Sequence, residues 1–320
     1  MKNKFIIGMD GGGTKTHAVI ANLNGDILAE HTAGPSNFQI IGVEKTAEAI
    51  YSLIGLCCES VECSVDQIVS VVLGLTGAGR VGDQKRMADG LKKYSAKRNV
   101  RLKKIIVESD ARIALEGAFK GDSGIILIAG TGSIAFGKDA KGNVHRVGGW
   151  GRILGDEGSG YFIGRLGMTA VAHELDGRGE KTKLSTMIAK KFRLTDQSEI
   201  ITAVYKDNFD IASIAPLVLK GAEENDAVCR MIVEQSAIEL AEHVEVAAKM
   251  ISASMQTKVK SKIHLAFIGG LIANETLLSE LLRNYLSSNF PSIEIIQPMA
   301  SPAYGAVVLG MKSSKKITRK

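Results

Sequence analysis

A chain of 320 residues is longer than one ordinary hydrophobic core supports, so two packed domains are expected. Its 45% hydrophobic and 23% charged residues exclude a disordered, collagen-like or membrane-spanning polypeptide, and no apolar run is long enough to cross a bilayer. The +6 net charge concentrates in KKYSAKRNVRLKK (92–104) and KSSKKITRK (312–320), read as a helix end with its loop and a frayed tail, and no nucleic-acid docking element accompanies them.

In chain order, the first 33 residues alternate as three short strands, KFIIGMD, THAVIANL and DILAEHT, joined by GGG and NLNGD turns. A helical pattern from Val43 to Cys57 follows, then the strand IVSVVLGLTG, a helix from Asp83 to Ser95, the strand KKIIVESD and a helix opening at Asp110. From Ser123 the pattern begins again with GIILIAG, SIAFGKD and NVHRVGG, a KGN turn lying between the last two. The remainder reads as a long helical insertion from Ser159 to Met255, the strand KIHLAFIGG, a helix from Glu275 to Leu286, the strand SIEIIQP and a last helix from Tyr304. The expectation is an α/β protein of two similar halves with mixed sheets: domain 1–120, and domain 121–320 with its insertion at 159–255, the terminal helix packing back on the first domain.

Two Gly/Thr loops occupy equivalent places in the halves: Asp10, Gly11, Gly12, Gly13, Thr14 and Lys15 after the first strand, and Gly130, Thr131 and Gly132 after its counterpart. Turns of this composition present several backbone N–H groups together, a cradle for phosphate oxygens. The first is no Walker A loop, because Thr14 stands where Lys must follow the second glycine, and no dinucleotide fingerprint, because a strand rather than a helix follows. Asp10, at the end of the first strand, is placed to hold a hydrated Mg²⁺ against the phosphates; its alternative is a turn-stabilising carboxylate. Gly269 and Gly270 end the strand HLAFIGG before a helix opening near Asn274, giving either a close approach for an adenine ring or a plain strand-to-helix turn. Asp110, between a strand and a helix, is either a helix N-cap or a base that accepts the proton of an attacking hydroxyl.

The chain resembles the N-acetylglucosamine kinase family, within a group that also holds the activator ATPases of benzoyl-CoA reductase and 2-hydroxyacyl-CoA dehydratase. The likeness runs end to end through DGGGTKT (10–16), GPSNFQIIG (34–42), SDARIALEGA (109–118), AGTGS (129–133), GGWGRILGDEGSGYFIGR (148–165), KGAEENDA (220–227) and FIGG (267–270). The resemblance implies two ribonuclease-H-like domains of the actin-like ATPase type with ATP between them, Asp110 as the base, and ATP with Mg²⁺ used to phosphorylate a hydroxyl, C6 being the expected one, of an amino sugar. By the same match Asn37, Ser133, Trp150 and Asp156 line the sugar site together with Asp110, while Thr14, Thr131 and Ala222 touch the nucleotide. Outside the motif, Trp150, the only Trp, would be a core residue, and Asp156 with Glu157 a helix-start pair. Gln39 departs from the pattern, standing where mammalian members carry Trp near the sugar, which leaves N-acetylglucosamine, glucosamine and N-acetylmuramate open.

Two other functions belong to the same group or fold. A redox activator ATPase needs Cys thiolates for an iron–sulfur cluster, whereas Cys57, Cys58, Cys63 and Cys229 form no C-x-x-C pair and read as buried or incidental. A sugar sensor without catalysis would not need both loops, Asp10 and Asp110. The cysteine pattern and the absence of a signal-like start point to the cytoplasm. A small-molecule sugar is the expected partner, nucleic acid and membrane are not, and a homodimer is compatible with this reading.

Overall fold

The protein is seen in a computed structural model that describes residues 3–253 and 262–315. Two compact units divide the chain, one made of Met1–Asp122 with Pro298–Lys320 and the other of Ser123–Gln297.

The first unit opens with β1 (Phe5–Gly11), β2 (Thr16–Asn22) and β3 (Ile27–Ala33), then α1 (Phe38–Ile41), α2 (Val43–Ser60), β4 (Ile68–Leu75), α3 (Val81–Ala96), β5 (Ile105–Ser109) and α4 (Asp110–Ala118). Its sheet runs β3-β2-β1-β4-β5, antiparallel across the first three strands and parallel from β1 to β4 to β5. β1 and β4 read as near-continuous apolar runs because central strands with covered faces bury both sides, whereas β3, at the edge, alternates between exposed and half-buried positions. One face carries a core built by Ile7, Met9, Ile20, Ile50, Leu53, Leu73, Met87 and Leu91.

The second unit comprises β6 (Gly124–Ala129), β7 (Ser133–Lys138), β8 (Val144–Gly148), α5 (Gly160–Leu175), α6 (Lys183–Phe192), α7 (Gln197–Tyr205), α8 (Ala215–Glu223), α9 (Ala227–Ala253), β9 (Ile263–Ile268), α10 (Leu277–Asn289) and β10 (Ile293–Ile296). Read from the β8 edge its sheet is β8-β7-β6-β9-β10, the topology of the first unit with the same antiparallel and parallel pairings. The helical stretch inserted between β8 and β9 supplies most of this core, and α9 lies against β6, β7 and β8 with Val233, Leu240, Val244 and Ala247 fully buried. Side-chain caps fix the helix starts: Ser159 accepts from Phe162 N, Thr182 from Leu184 N and Asp196 from Glu199 N.

The last helix, α11 (Pro302–Lys315), belongs to the first unit, where it packs against α4, β1 and β4. The crossing with α4 is so close that a Cβ added to Gly305 would lie 1.9 Å from the Ile113 carbonyl oxygen, so only glycine fits. Glu116, fully buried on α4, pairs with Arg112 of its own helix and with Lys312 of α11, each at 2.9 Å. Two cations around one buried carboxylate are the arrangement in which burial of a charge is tolerated.

Several expectations change. The tail expected to fray is helical through Lys315, while 316–320 and the insertion boundary at Met255 lie outside the described residues. The helix expected near Asn274 or Glu275 begins at Leu277, because the Thr276 hydroxyl accepts from Ser279 N and Thr276 N donates to Ser279 Oγ in return. The four-residue α1 was not expected; it forms because Asn37 caps it.

Replacing Gly305 by Ala forces α11 off α4 and should destabilise the first unit by about 1–3 kcal/mol, the usual cost of overpacking. Replacing Gly55 by Ala, in α2 where an added Cβ meets nothing within 4 Å, should stabilise by about 0.5–1 kcal/mol. Thermal unfolding of both variants checks the opposite signs.

Candidate functional site

In the first unit the expected residues gather at the carboxyl ends of β1, β4 and β5, the edge at which open α/β sheets bind ligands. The β1–β2 turn closes on itself through Gly12 N to Lys15 O at 2.9 Å, leaving Gly13, Thr14 and Lys15 exposed. Segment 34–37 is clasped to it: Ser36 N donates to Gly12 O at 3.0 Å, and Thr16 Oγ1 lies 2.8 Å from both Gly34 O and Ser36 Oγ. On the other side Thr76 N donates to Gly11 O at 2.9 Å. β1, the loop before α1 and the end of β4 are thus tied around one short glycine turn.

Asp110 is the first helical residue of α4 and not its cap; Ser109 accepts from Arg112 N at 3.1 Å and performs that role. Asp110 Oδ1 accepts from Ala111 N at 2.8 Å and Oδ2 from the Thr76 hydroxyl at 2.7 Å. Two donors from two elements therefore fix the carboxylate, and each oxygen keeps a second lone pair. Thr76 was not singled out in the sequence, where it is one polar residue closing an apolar strand. Burial raises the pKa of Asp10, and the negative charge of Asp110 raises it further, against smaller opposing effects of His17 and Lys15. A cavity of about 440 Å³ lined by Asp10, Lys15, His17, Glu30, His31 and Thr32 opens beside the turn.

Asn37 caps α1 by accepting from Gln39 N at 3.1 Å. Gln39 is itself held, donating to Gly77 O at 3.2 Å and accepting from Arg86 Nη2 at 3.0 Å, so a polar network occupies the position at which the resemblance carries an indole.

In the second unit the β6–β7 turn repeats the first: Gly130 N donates to Gly132 O at 2.9 Å. The start of α5 is sewn onto it by Gly160 N to Gly130 O at 2.8 Å and Tyr161 N to Thr131 O at 3.1 Å. Asp156 lies against the turn, since a Cβ on Gly132 would meet its carboxylate at 2.9 Å. Asp156 and Glu157 are not a helix-start pair: α5 begins at Gly160, and Asp156 sits in a loop with a left-handed backbone, φ +60°. Trp150 is 74% exposed, which overturns the core reading, and Ile153 and Leu154 beside it are exposed as well. Thr131, Gly132, Arg152, Asp156 and Tyr161 share a cavity of about 330 Å³ with the segment Asn208–Ile211, which the sequence had not marked.

Other expected residues contribute differently. Ser133 is nearly fully buried and its hydroxyl donates to Glu157 O at 2.7 Å, so it holds the loop rather than facing outward. Ala222 is buried in α8 within the core, leaving it only backbone to offer a nucleotide. Gly269 ends β9 at φ +97° with a would-be Cβ 2.3 Å from Ala129 O, a place no side chain fits; an added Cβ on Gly270 meets nothing. Among the described residues no group of three or more His, Cys, Asp or Glu could hold a metal ion, and no helix is long and apolar enough to cross a membrane.

Paired glycine turns in two sheets of one topology define the class, an α/β protein with the actin-like ATPase fold. The chain belongs to the BadF/BadG/BcrA/BcrD ATPase family, whose sequence pattern it matches over residues 7–310, and as a member it uses ATP. It is 35% identical, over 96% of its length and 98% of the relative's, to the N-acetylmuramic acid/N-acetylglucosamine kinase of Clostridium acetobutylicum. It is 30% identical to the N-acetyl-D-glucosamine kinase of Dictyostelium discoideum, over 98% of this chain and all of that one. The fold matches the crystal structure of a candidate N-acetylglucosamine kinase of Chromobacterium violaceum at a TM-score of 0.68 and 24% identity, covering 96% of this chain and 99% of that one.

The raised pKa of Asp10 has a stability consequence. The folded state disfavours its ionised form, so the cost is present above the raised pKa and vanishes below the unfolded value. Asp10→Asn should therefore melt higher than the parent at neutral pH without ligands, the gap closing as pH falls and Asp10 takes up its proton. A variant that melts lower at neutral pH would contradict the charge assignment.

Proposed function

We propose that the protein transfers the γ-phosphoryl group of ATP to a hydroxyl of an amino sugar, the C6 hydroxyl of N-acetylglucosamine or a close relative such as N-acetylmuramate or glucosamine. The observation that carries this reading is the fixed Asp110 carboxylate beside the Asp10–Lys15 turn, in a chain whose relatives at 35% and 30% identity over nearly full length bear the names of amino-sugar kinases.

In this reading the Gly11–Lys15 turn and the Gly130–Gly132 turn each offer phosphate oxygens the backbone N–H groups that are not spent closing the turn. Thr14, Thr131, the backbone of Ala222 and the Gly269–Gly270 turn serve the nucleotide, and Asn37, Trp150 and Asp156 serve the sugar, with Ser133 holding the loop of the latter two through Glu157 O. Asn37 and Asp156 offer hydrogen bonds to hydroxyl and amide groups, and Trp150 offers a rigid apolar wall. Asp110 accepts the hydroxyl proton as the sugar oxygen bonds to phosphorus and the bond to the leaving ADP oxygen breaks. The residues fit Mg²⁺: Asp10 carries a charge that burial and Asp110 make costly, and Mg²⁺ needs only one or two carboxylates when phosphates and water fill its other positions. Asp10 would hold it through water, and it would neutralise charge on the phosphates. Domains 1–120 and 121–320, a cytoplasmic location and a homodimer complete the proposal.

The redox-activator alternative is disfavoured by its own chemistry. Burial, with Cys63 adding to it, pushes the Cys57 and Cys58 thiols up to about 12, so neither is a ready thiolate ligand for a cluster.

Asp110→Asn tests the base directly. Ser109 still caps α4, so the fold should hold, ATP and sugar should bind as before, and turnover should fall at least ~100-fold, the usual contribution of a positioned base. Turnover within a few-fold of the parent would remove Asp110 from that role. Gly12→Val gives the second check: the nearest atom to an added Cβ is Lys15 O at 3.6 Å, so the variant should fold yet block backbone approach and weaken ATP more than sugar. Titration of each ligand separates the two.

A further inference from the structure

The loop that joins β8 to α5 carries Trp150 and Asp156, and one stripe of α9 holds it down. Ser236, Glu239, Leu240 and His243 recur at three- and four-residue steps and so share a helix face. Gly158 lies directly on that face, its would-be Cβ 2.5 Å from Leu240 Cγ and 2.6 Å from Ser236 O. From β7, Ser133 donates to Glu157 O at 2.7 Å. The side-chain contact is between Glu157 Oε2 and His243 Nε2 at 3.6 Å, with His243 92% covered at its side chain. His243 Nδ1 faces the Glu239 carbonyl oxygen at 2.7 Å, and because a carbonyl only accepts, that nitrogen must carry a hydrogen. Nε2 then faces the Glu157 carboxylate at 3.6 Å, an electrostatic contact longer than a hydrogen bond.

We propose that His243 is a positioning residue for the sugar-binding loop, acting through Glu157 and never touching substrate. Its Nδ1 hydrogen locks the ring on α9, and its Nε2 end grips Glu157, whose neighbour Asp156 is thereby held at its left-handed backbone against Gly132. The inference rests on the kinase reading only for what the loop binds; that the loop is pinned from α9 stands on the contacts alone.

Two amides separate the ring's functions. Gln at 243 can place an amide N–H where Nε2 stands, while Asn reaches only the Nδ1 position. In His243→Asn, KM for the amino sugar should rise about tenfold, the scale of the coupling between two side chains in contact, with KM for ATP within about twofold. His243→Gln should recover most of the loss. Because Arg152 is exposed on the same loop, trypsin cleavage after it reads the pinning without any activity: about tenfold faster in His243→Asn and in Glu157→Ala, near the parent rate in His243→Gln, and no faster in the Asn/Ala double variant than in either single. Glu157→Ala leaves α9 intact should the Asn variant fold poorly. Equal behaviour of Asn and Gln, additive cleavage rates, or a parallel rise in KM for ATP would overturn the proposal. If the parent protein phosphorylates no amino sugar, the kinase reading falls while the cleavage comparison still decides the pinning.

Discussion

Two like charges at one sheet edge set the terms for the rest of the first unit. Asp10 ends β1 and Asp110 opens α4, close enough for the charge of one to raise the pKa of the other, and burial adds to the cost. A fold optimised for stability alone would not keep them. It keeps them by fixing each oxygen of Asp110 with a donor and by tying the Gly12 turn to segment 34–37 and to Thr76.

The same five-strand plan is used twice with different burdens. In the first unit the short loops leave one face of the sheet open, and α11 returns to cover it, drawn against α4 by Gly305 and the Glu116 ion pairs. In the second unit the inserted helices do the covering, and the longest of them, α9, also grips the loop after β8 from below. The insertion therefore builds a core and holds the β8–α5 loop in register. The exposed Trp150, Ile153 and Leu154 are what such a loop can present once its backbone is held elsewhere.

Much of this was legible because the signals are local and periodic. Short strand-like runs bounded by turn residues marked β1 to β3 and again β6 to β8, and glycine with threonine marked both turns. Where neighbouring residues could play the same part, pattern alone could not choose: Ser109 and Asp110 are both good caps, and only the hydrogen bond from Arg112 N separates them. The four-residue α1 is too short for any helical period and depends on the Asn37 cap. The burial of Trp150 and Ser133 was not legible, since it is decided by elements far along the chain: one is exposed, against the core alternative, and the other is hidden beneath Glu157. The contact of His243 with Glu157 has no sequence signal at all, because it exists only once α9 lies across the β8–α5 loop.

Phosphorus NMR of the protein with ATP, Mg²⁺ and N-acetylglucosamine tests the central claim in one spectrum. The account predicts that ADP and a sugar phosphomonoester grow together in equal amounts, and that omitting the sugar leaves ATP nearly unchanged. Orthophosphate released at the same rate with and without N-acetylglucosamine, N-acetylmuramate or glucosamine, and no phosphomonoester with any of them, would contradict it.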